Sequence, residues 1–212
     1  YTLWRFTAKR HPKADHHGVR SHASNYIEVG VVIAELVLLI GFAIPMWAKA
    51  ANVTKIPDAK DATTIQIVAQ QFAWNARYAG KDGVFGQQDM AKVTGDNAFG
   101  VIPDDPNGKD DVQVLNEIHV PIGKPVICHV SSKDVIHSFK IIALRVTQDA
   151  IPGMRIPCWF KPTQEGRYQI NCAQLCGNGH SSMAGGVLVV ESQEKFEQWI
   201  ASKKPGAAVS FE

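Results

Sequence analysis

Residues 171–183 read N-C-A-Q-L-C-G-N-G-H-S-S-M. Cys172 and Cys176 stand four apart, His180 follows four later and Met183 three after that, so one short loop gathers two thiols, an imidazole and a thioether. Soft sulfur mixed with imidazole nitrogen is the donor set that suits copper. Zinc would more often draw a second C-x-x-C or H-x-x-x-H pair, and a thioether is a poor ligand for it. A mononuclear blue-copper site uses one cysteine, two histidines and a weak axial methionine; this loop has a cysteine too many. The second thiolate makes sense if both sulfurs bridge two copper ions, so that one electron is shared and the geometry barely changes on reduction. Such a site wants a second imidazole, and the best candidate is His137 in S-S-K-D-V-I-H-S-F.

The other cysteines and histidines fit less well. Four cysteines in an exported domain also allow two disulfides, but Cys128 and Cys158 each lie in an apolar, strand-like stretch and read most simply as buried thiols. His119 and His129 lie inside strand-like runs, and His11, His16, His17 and His22 precede a long apolar segment. No C-x-x-C-H occurs, so no covalent c-type haem is expected.

The elements that must position the loop are short strands. The runs 64–70, 112–120, 125–131, 138–142, 167–172 and 186–190 are rich in β-branched residues and bounded by turns such as P-I-G-K-P and A-I-P-G. They predict an all-β domain over 64–212, an antiparallel sandwich closed by one helix that Ser192 caps and that carries Phe196, Trp199 and Ile200 on one face. Residues 79–111 form an excursion rich in glycine, aspartate and asparagine. Within it, residues 89–111 set Asp89, Asp96, Asp104, Asp105, Asp110 and Asp111 against only Lys92 and Lys109, a charge that would steer a basic partner; the same composition also makes solvated turns.

Ahead of this domain, residues 26–48 are apolar and as a helix would span roughly 35 Å, enough to cross a bilayer. Residues 49–63 make a polar linker. The arm 1–25 carries five basic side chains against Asp15 alone, whereas residues 49–212 hold 17 basic and 17 acidic residues. The basic arm therefore predicts a cytoplasmic start and an external domain, and the balanced remainder has no nucleic-acid footprint. The opening Y-T-L-W-R-F suggests that a further membrane helix precedes the arm. Glu28 and Glu35 are seven apart on one face of the apolar helix, and ionisable groups there point to function or a protein partner.

Three stretches together, D-V-I-H-S-F, D-A-I-P-G and C-A-Q-L-C-G-N-G-H-S-S-M, resemble subunit II of the haem–copper cytochrome c oxidases. The likeness extends to the apolar helix ending in I-P, to P-I-G-K-P-V and to the terminal E-K-F-E-Q-W. It implies a cupredoxin-like Greek-key sandwich with a binuclear copper centre, CuA, on an N-terminal transmembrane helix. Residue by residue, it implies that Cys172 and Cys176 bridge both coppers, that His137 and Met183 complete one ion, and that His180 and the carbonyl of Gln174 complete the other. Asp134 and Asp149 match positions that brace the loop. Electrons would come from a cytochrome c and pass to haem in subunit I, whose oxygen reduction is coupled to proton pumping, in a bacterial inner membrane with the copper domain on the periplasmic side. Membrane lipid and the remaining oxidase subunits are the other partners implied.

Several positions depart from the family pattern. Glutamate is usual at 174, where its carboxylate helps hold magnesium at the subunit I boundary, and glutamine is a weaker ligand for a hard cation. Met154 intervenes between D-A-I-P-G and Arg155. The usual electron-accepting tryptophan aligns with Phe72, while Trp74 stands two further on. Glu28 matches a carboxylate at the mouth of a proton pathway. A copper-delivery protein would place its cysteine pair early in a βαβ fold, a nitrous oxide reductase domain would lack this anchor, and a quinol oxidase subunit would have lost the ligands.

Overall fold

The computed structural model describes residues 1–15, 17, 18, 20–51 and 53–206, so His16 lies outside the described residues. The chain divides into two compact units, Tyr1–Ala51 and Asn52–Glu212. In the first, a helix of 27 residues, Ala23–Lys49, is long and apolar enough to cross a membrane. Within that unit the side chains from Ala23 to Trp47 are exposed. The run includes a wider π turn, Leu39–Ala43, just after Glu35.

The second unit is a sandwich of two five-stranded sheets. One has the order β3-β2-β1-β5-β8 and the other β4-β10-β9-β6-β7, with β1 Thr63–Gln70, β2 Ala73–Tyr78, β3 Val112–Leu115, β4 Glu117–Pro121 and β5 Val126–Ser132. The rest are β6 His137–Ile141, β7 Val146–Ala150, β8 Ile156–Phe160, β9 Gly166–Cys172 and β10 Gly186–Glu191. The sandwich is not purely antiparallel as expected: β1 pairs with β5 and β10 with β4 in parallel. Ile65, Ile67, Trp74, Val130, Phe139, Ile141, Ile170 and Leu188 fill the space between the sheets.

The strand expected over 112–120 is two strands in different sheets. Asn116 breaks it with φ 58, a left-handed conformation that asparagine tolerates better than most residues. Its carboxamide oxygen accepts from Trp74 N at 2.9 Å and its own N–H donates to Trp74 O at 2.8 Å. Its carbonyl accepts from Val187 N at 2.8 Å, so one residue joins both sheets.

Three strands give little sequence signal. β2 is buried along its whole length, including Asn75 and Arg77, and so shows no alternation. β7 and β8 are edge strands; β7 is polar, and β8 contains Pro157, which an edge can accept because one side of it needs no ladder.

The closing helix is Gln193–Ser202, and Ser192 Oγ accepts from Lys195 N, as a cap should. Its Trp199 stacks on His119 at 3.9 Å between ring centroids, and that imidazole also meets Glu191 at 2.6 Å and Glu117 at 3.1 Å. His119 therefore fastens the helix to the sheet. The aspartates of the excursion are likewise largely structural. Asp111 pairs with the fully buried Arg77 and accepts from Gly86 N, and buried Asp105 accepts from Gln87 N.

Candidate metal centre

Neighbouring strands bring the first two donors together. His137 opens β6 and Cys172 ends β9, and Phe139 is the register partner of Cys172. His137 Nδ1 lies 3.9 Å from Cys172 Sγ. The chain then turns back over the end of the sandwich, held by Ala173 N donating to Ser138 O at 2.9 Å. This brings Cys176 Sγ to 3.9 Å from Cys172 Sγ, 3.3 Å from His180 Nδ1 and 3.5 Å from Met183 Sδ. Met183 Sδ in turn lies 3.2 Å from His137 Nδ1, and the Cys172 thiol donates to Gln174 O at 3.0 Å. All six predicted donor groups thus meet in one cluster. Within it the ligand atoms of His137, Cys172 and Cys176 lie within 4.8 Å of one another.

The surroundings fix these donors. Asp134 Oδ1 meets His137 Nε2 at 2.9 Å, which orients the ring and leaves Nδ1 toward the sulfurs. The other Asp134 oxygen accepts from Gln71 N at 2.7 Å, and the Gln71 carboxamide donates to Cys176 O at 2.7 Å. Burial acts to raise the Asp134 carboxyl, but hydrogen bonds from Gln71 N, His137 and Val135 N outweigh it and hold the group below its ordinary value. Asp149, the other predicted brace, is exposed on β7, and its carboxylate has no hydrogen-bond partner among the described residues.

Phe72 lies across the loop. A Cβ at Gly179 would fall 2.3 Å from the Phe72 ring, and one at Gly177, whose φ is +135°, would meet Gln71 Nε2 at 2.9 Å. The loop can approach this closely because both residues lack side chains.

Trp74, by contrast, is fully buried. Its indole N–H donates to Met183 O at 3.1 Å, and its ring meets Phe139 edge-on at 5.3 Å. Trp74 therefore sets the position of Met183 from within the core.

His137 and Met183 are fully buried, and Cys172 and Cys176 nearly so. Burial first, then the neighbouring Cys172 thiol, push the Cys176 thiol up to about 11. A thiol held protonated in this way accepts a cation only by releasing its proton, and soft cations bring this about best. Two thiols, two imidazoles, a thioether and a carbonyl, with no carboxylate among the inward donors, fit copper.

Residues 63–192 match the family described as cytochrome c oxidase subunit II, periplasmic domain. This chain belongs to that family. It is 32% identical over 211 residues to the alternative cytochrome c oxidase subunit 2 of Bradyrhizobium diazoefficiens, covering 99% of this chain and 74% of that one. It is 31% identical over 206 residues to the probable cytochrome c oxidase subunit 2 of Rickettsia conorii, covering 96% of this chain and 60% of that protein. The crystal structure of the periplasmic domain of subunit II of cytochrome oxidase (CoxB) from Bradyrhizobium japonicum superposes with a TM-score of 0.50 at 28% identity, over 70% of this chain and 96% of that one. The cupredoxin-like sandwich and the apolar N-terminal helix are thus those of a subunit II.

Sequence reasoning missed two parts of this subunit II site. Gln71 spans the brace and the loop, yet nothing in Q-Q-F-A-W distinguishes it. Leu175 is 77% exposed beside exposed Val135 and Ile136, an apolar rim at the cysteine loop. An uncompensated leucine between two cysteines is a signal that the sequence does carry.

Proposed function

We propose that this chain takes single electrons from a cytochrome c and passes them to haem in subunit I, through a binuclear copper centre held by residues 137 and 172–183. One observation carries the reading: two thiols 3.9 Å apart, each with an imidazole nitrogen within 3.9 Å, in a buried pocket without inward carboxylates. In the family's arrangement Cys172 and Cys176 would bridge both ions, with His137 and Met183 on one and His180 and the Gln174 carbonyl on the other. A copper pair sharing two thiolates supplies one-electron storage with little reorganisation.

The protein's part is to hold the donors still and dry. Asp134 and Gln71 tether both sides of the loop, Trp74 sets Met183 from below, and the buried sulfurs exclude water. Val135, Ile136 and Leu175 supply the apolar face for a donor haem edge, with half-buried Phe72 behind the loop. Of the two aromatic residues proposed for electron uptake, Phe72 is the one with exposed surface.

Gln174 is exposed and offers a carboxamide where magnesium would want a carboxylate, so magnesium is left out of this reading. Glu28, on the membrane helix, would serve a proton path into subunit I, and the oxygen chemistry and proton pumping belong to the assembled oxidase. The basic arm would face the cytoplasm of a bacterial inner membrane and the sandwich the periplasm. The test is copper content with electron paramagnetic resonance of the copper-loaded full chain. Two coppers per chain with a delocalised mixed-valence signal are expected; one copper with an ordinary cupric signal would overturn the binuclear centre.

A further inference from the structure

Cys128 and Cys158 take no part in the centre, yet they are not scattered thiols. They are direct register partners on the antiparallel strands β5 and β8. Residues opposed in this way have Cα atoms about 4.5 or 5.5 Å apart, depending on the ladder position. Both spacings fall inside the roughly 4.4 to 6.8 Å that a disulfide spans. The side chains lie on the same face, because both thiols pack against the apolar cluster between the sheets. Cys128 is 1% exposed, whereas Cys158 is partly exposed on the edge strand.

We propose that Cys128 and Cys158 form a second, redox-active thiol pair that closes to a cross-strand disulfide and fastens the edge strand β8 to the sheet. The biological setting rests on the reading above that this domain faces an oxidising compartment; the geometry does not. The oxidant is a disulfide, either a small-molecule one or that of an exported oxidoreductase. The Cys158 sulfur, the one a disulfide can reach, attacks as thiolate and forms a mixed disulfide, while the first oxidant thiolate leaves and takes up a proton. Cys128 then loses its proton and attacks the Cys158 sulfur. The Cys128–Cys158 bond forms, the mixed disulfide breaks and the second oxidant thiol departs. Two electrons and two protons have passed from the cysteines to the oxidant. The neighbouring Cys158 thiol first, then burial, push the Cys128 thiol well above its ordinary value, consistent with its acting second.

The experiment uses the detergent-solubilised full chain, with and without copper, equilibrated with glutathione mixtures up to the purely oxidised form. Alkylation and peptide mapping without reduction follow. A peptide pair joined through Cys128 and Cys158, lighter by two hydrogen masses, is expected in both samples, with alkylation of both residues at least tenfold lower. Cys158→Ser should abolish the link and restore alkylation of Cys128 on denaturation, without changing copper content. Copper content is read separately, so failure of the metal reading would not be mistaken for failure of this one. Full alkylation of Cys128 and Cys158 in denatured samples taken from purely oxidised glutathione would overturn the proposal.

Discussion

The chain has two close pairs of cysteines, and their settings differ. Cys172 and Cys176 sit in and beside a loop whose backbone is bent around them, with imidazole nitrogens and a thioether at 3.3 to 3.9 Å. Cys128 and Cys158 sit opposite each other in a regular ladder, between apolar side chains. A loop can aim six donors at one point because its dihedrals are free to vary, whereas a ladder fixes only who stands opposite whom. On the two proposals above, the loop pair would share a cation and the ladder pair a bond.

Breaking the loop pair should have the largest effect. Cys176→Ser replaces a bridging thiolate with a hydroxyl that cannot hold two soft ions, so copper should fall from two per chain to one or none, with loss of the delocalised resonance. Retention of a two-copper mixed-valence signal would show that the sulfurs do not bridge. Breaking the ladder pair should cost stability alone. Closing a loop of roughly 30 residues is worth about 3.5 kcal/mol by chain entropy, so oxidised protein should lose up to about that much in denaturant unfolding on Cys158→Ser. Reduced protein should lose much less. Equal losses in both redox states would mean that packing of the thiol matters and the bond does not.

Asp134→Asn sharpens the comparison by leaving both pairs intact. It weakens only the brace that orients His137 and holds Gln71 N. Outer partners of this kind are typically worth about 10 to 100-fold in metal affinity, so competition with a copper chelator should show a loss in that range while the cysteines remain titratable by thiol reagents. An unchanged affinity would make Asp134 a turn-forming residue only.

The two regions also differ in how well the sequence disclosed them. The donors are unusual residue types at short spacing, so Cys172, Cys176, His180 and Met183 stood out, and His137 followed from what they lacked. The ladder pair was hidden because register depends on which strands become neighbours: β5 and β8 are joined only in the fold, and Pro157 weakened the strand signal around Cys158. Burial obscured β2 in the same way, since a strand covered on both faces shows no alternation. The split at Asn116 was hidden because one left-handed residue inside a β-branched run changes the sheet without changing the pattern. Trp74 reads equally well as a surface conduit or a core residue until the sheets are closed over it.

The smallest effect is expected from the acidic excursion. Asp105 and Asp111 are buried and occupied by Gln87 N, Gly86 N and Arg77, and Asp110 accepts from Asp82 N at 3.2 Å. Asp82, Asp89, Asp96 and Asp104 are exposed, against exposed Lys81, Lys92 and Lys109; among the described residues Asp105 and Asp110 bond only backbone N–H groups and keep their charge, while Asp111 is paired with Arg77, so the excursion keeps about three negative charges. Three of the exposed carboxylates are matched by exposed lysines, and charges are screened beyond a Debye length of about 8 Å at physiological salt, so removing two of them should change the steering of a basic donor only modestly. Changing Asp96 and Asp104 together to Asn should lower the association rate with a basic cytochrome c by less than about threefold, even at low salt. The copper spectrum should not change. Leu175→Ser, which alters the apolar rim at the cysteine loop without touching any charge, should instead raise the dissociation rate. A tenfold or greater fall in association rate from the Asp96 and Asp104 change would return the docking role to the excursion and reduce the rim to a bystander.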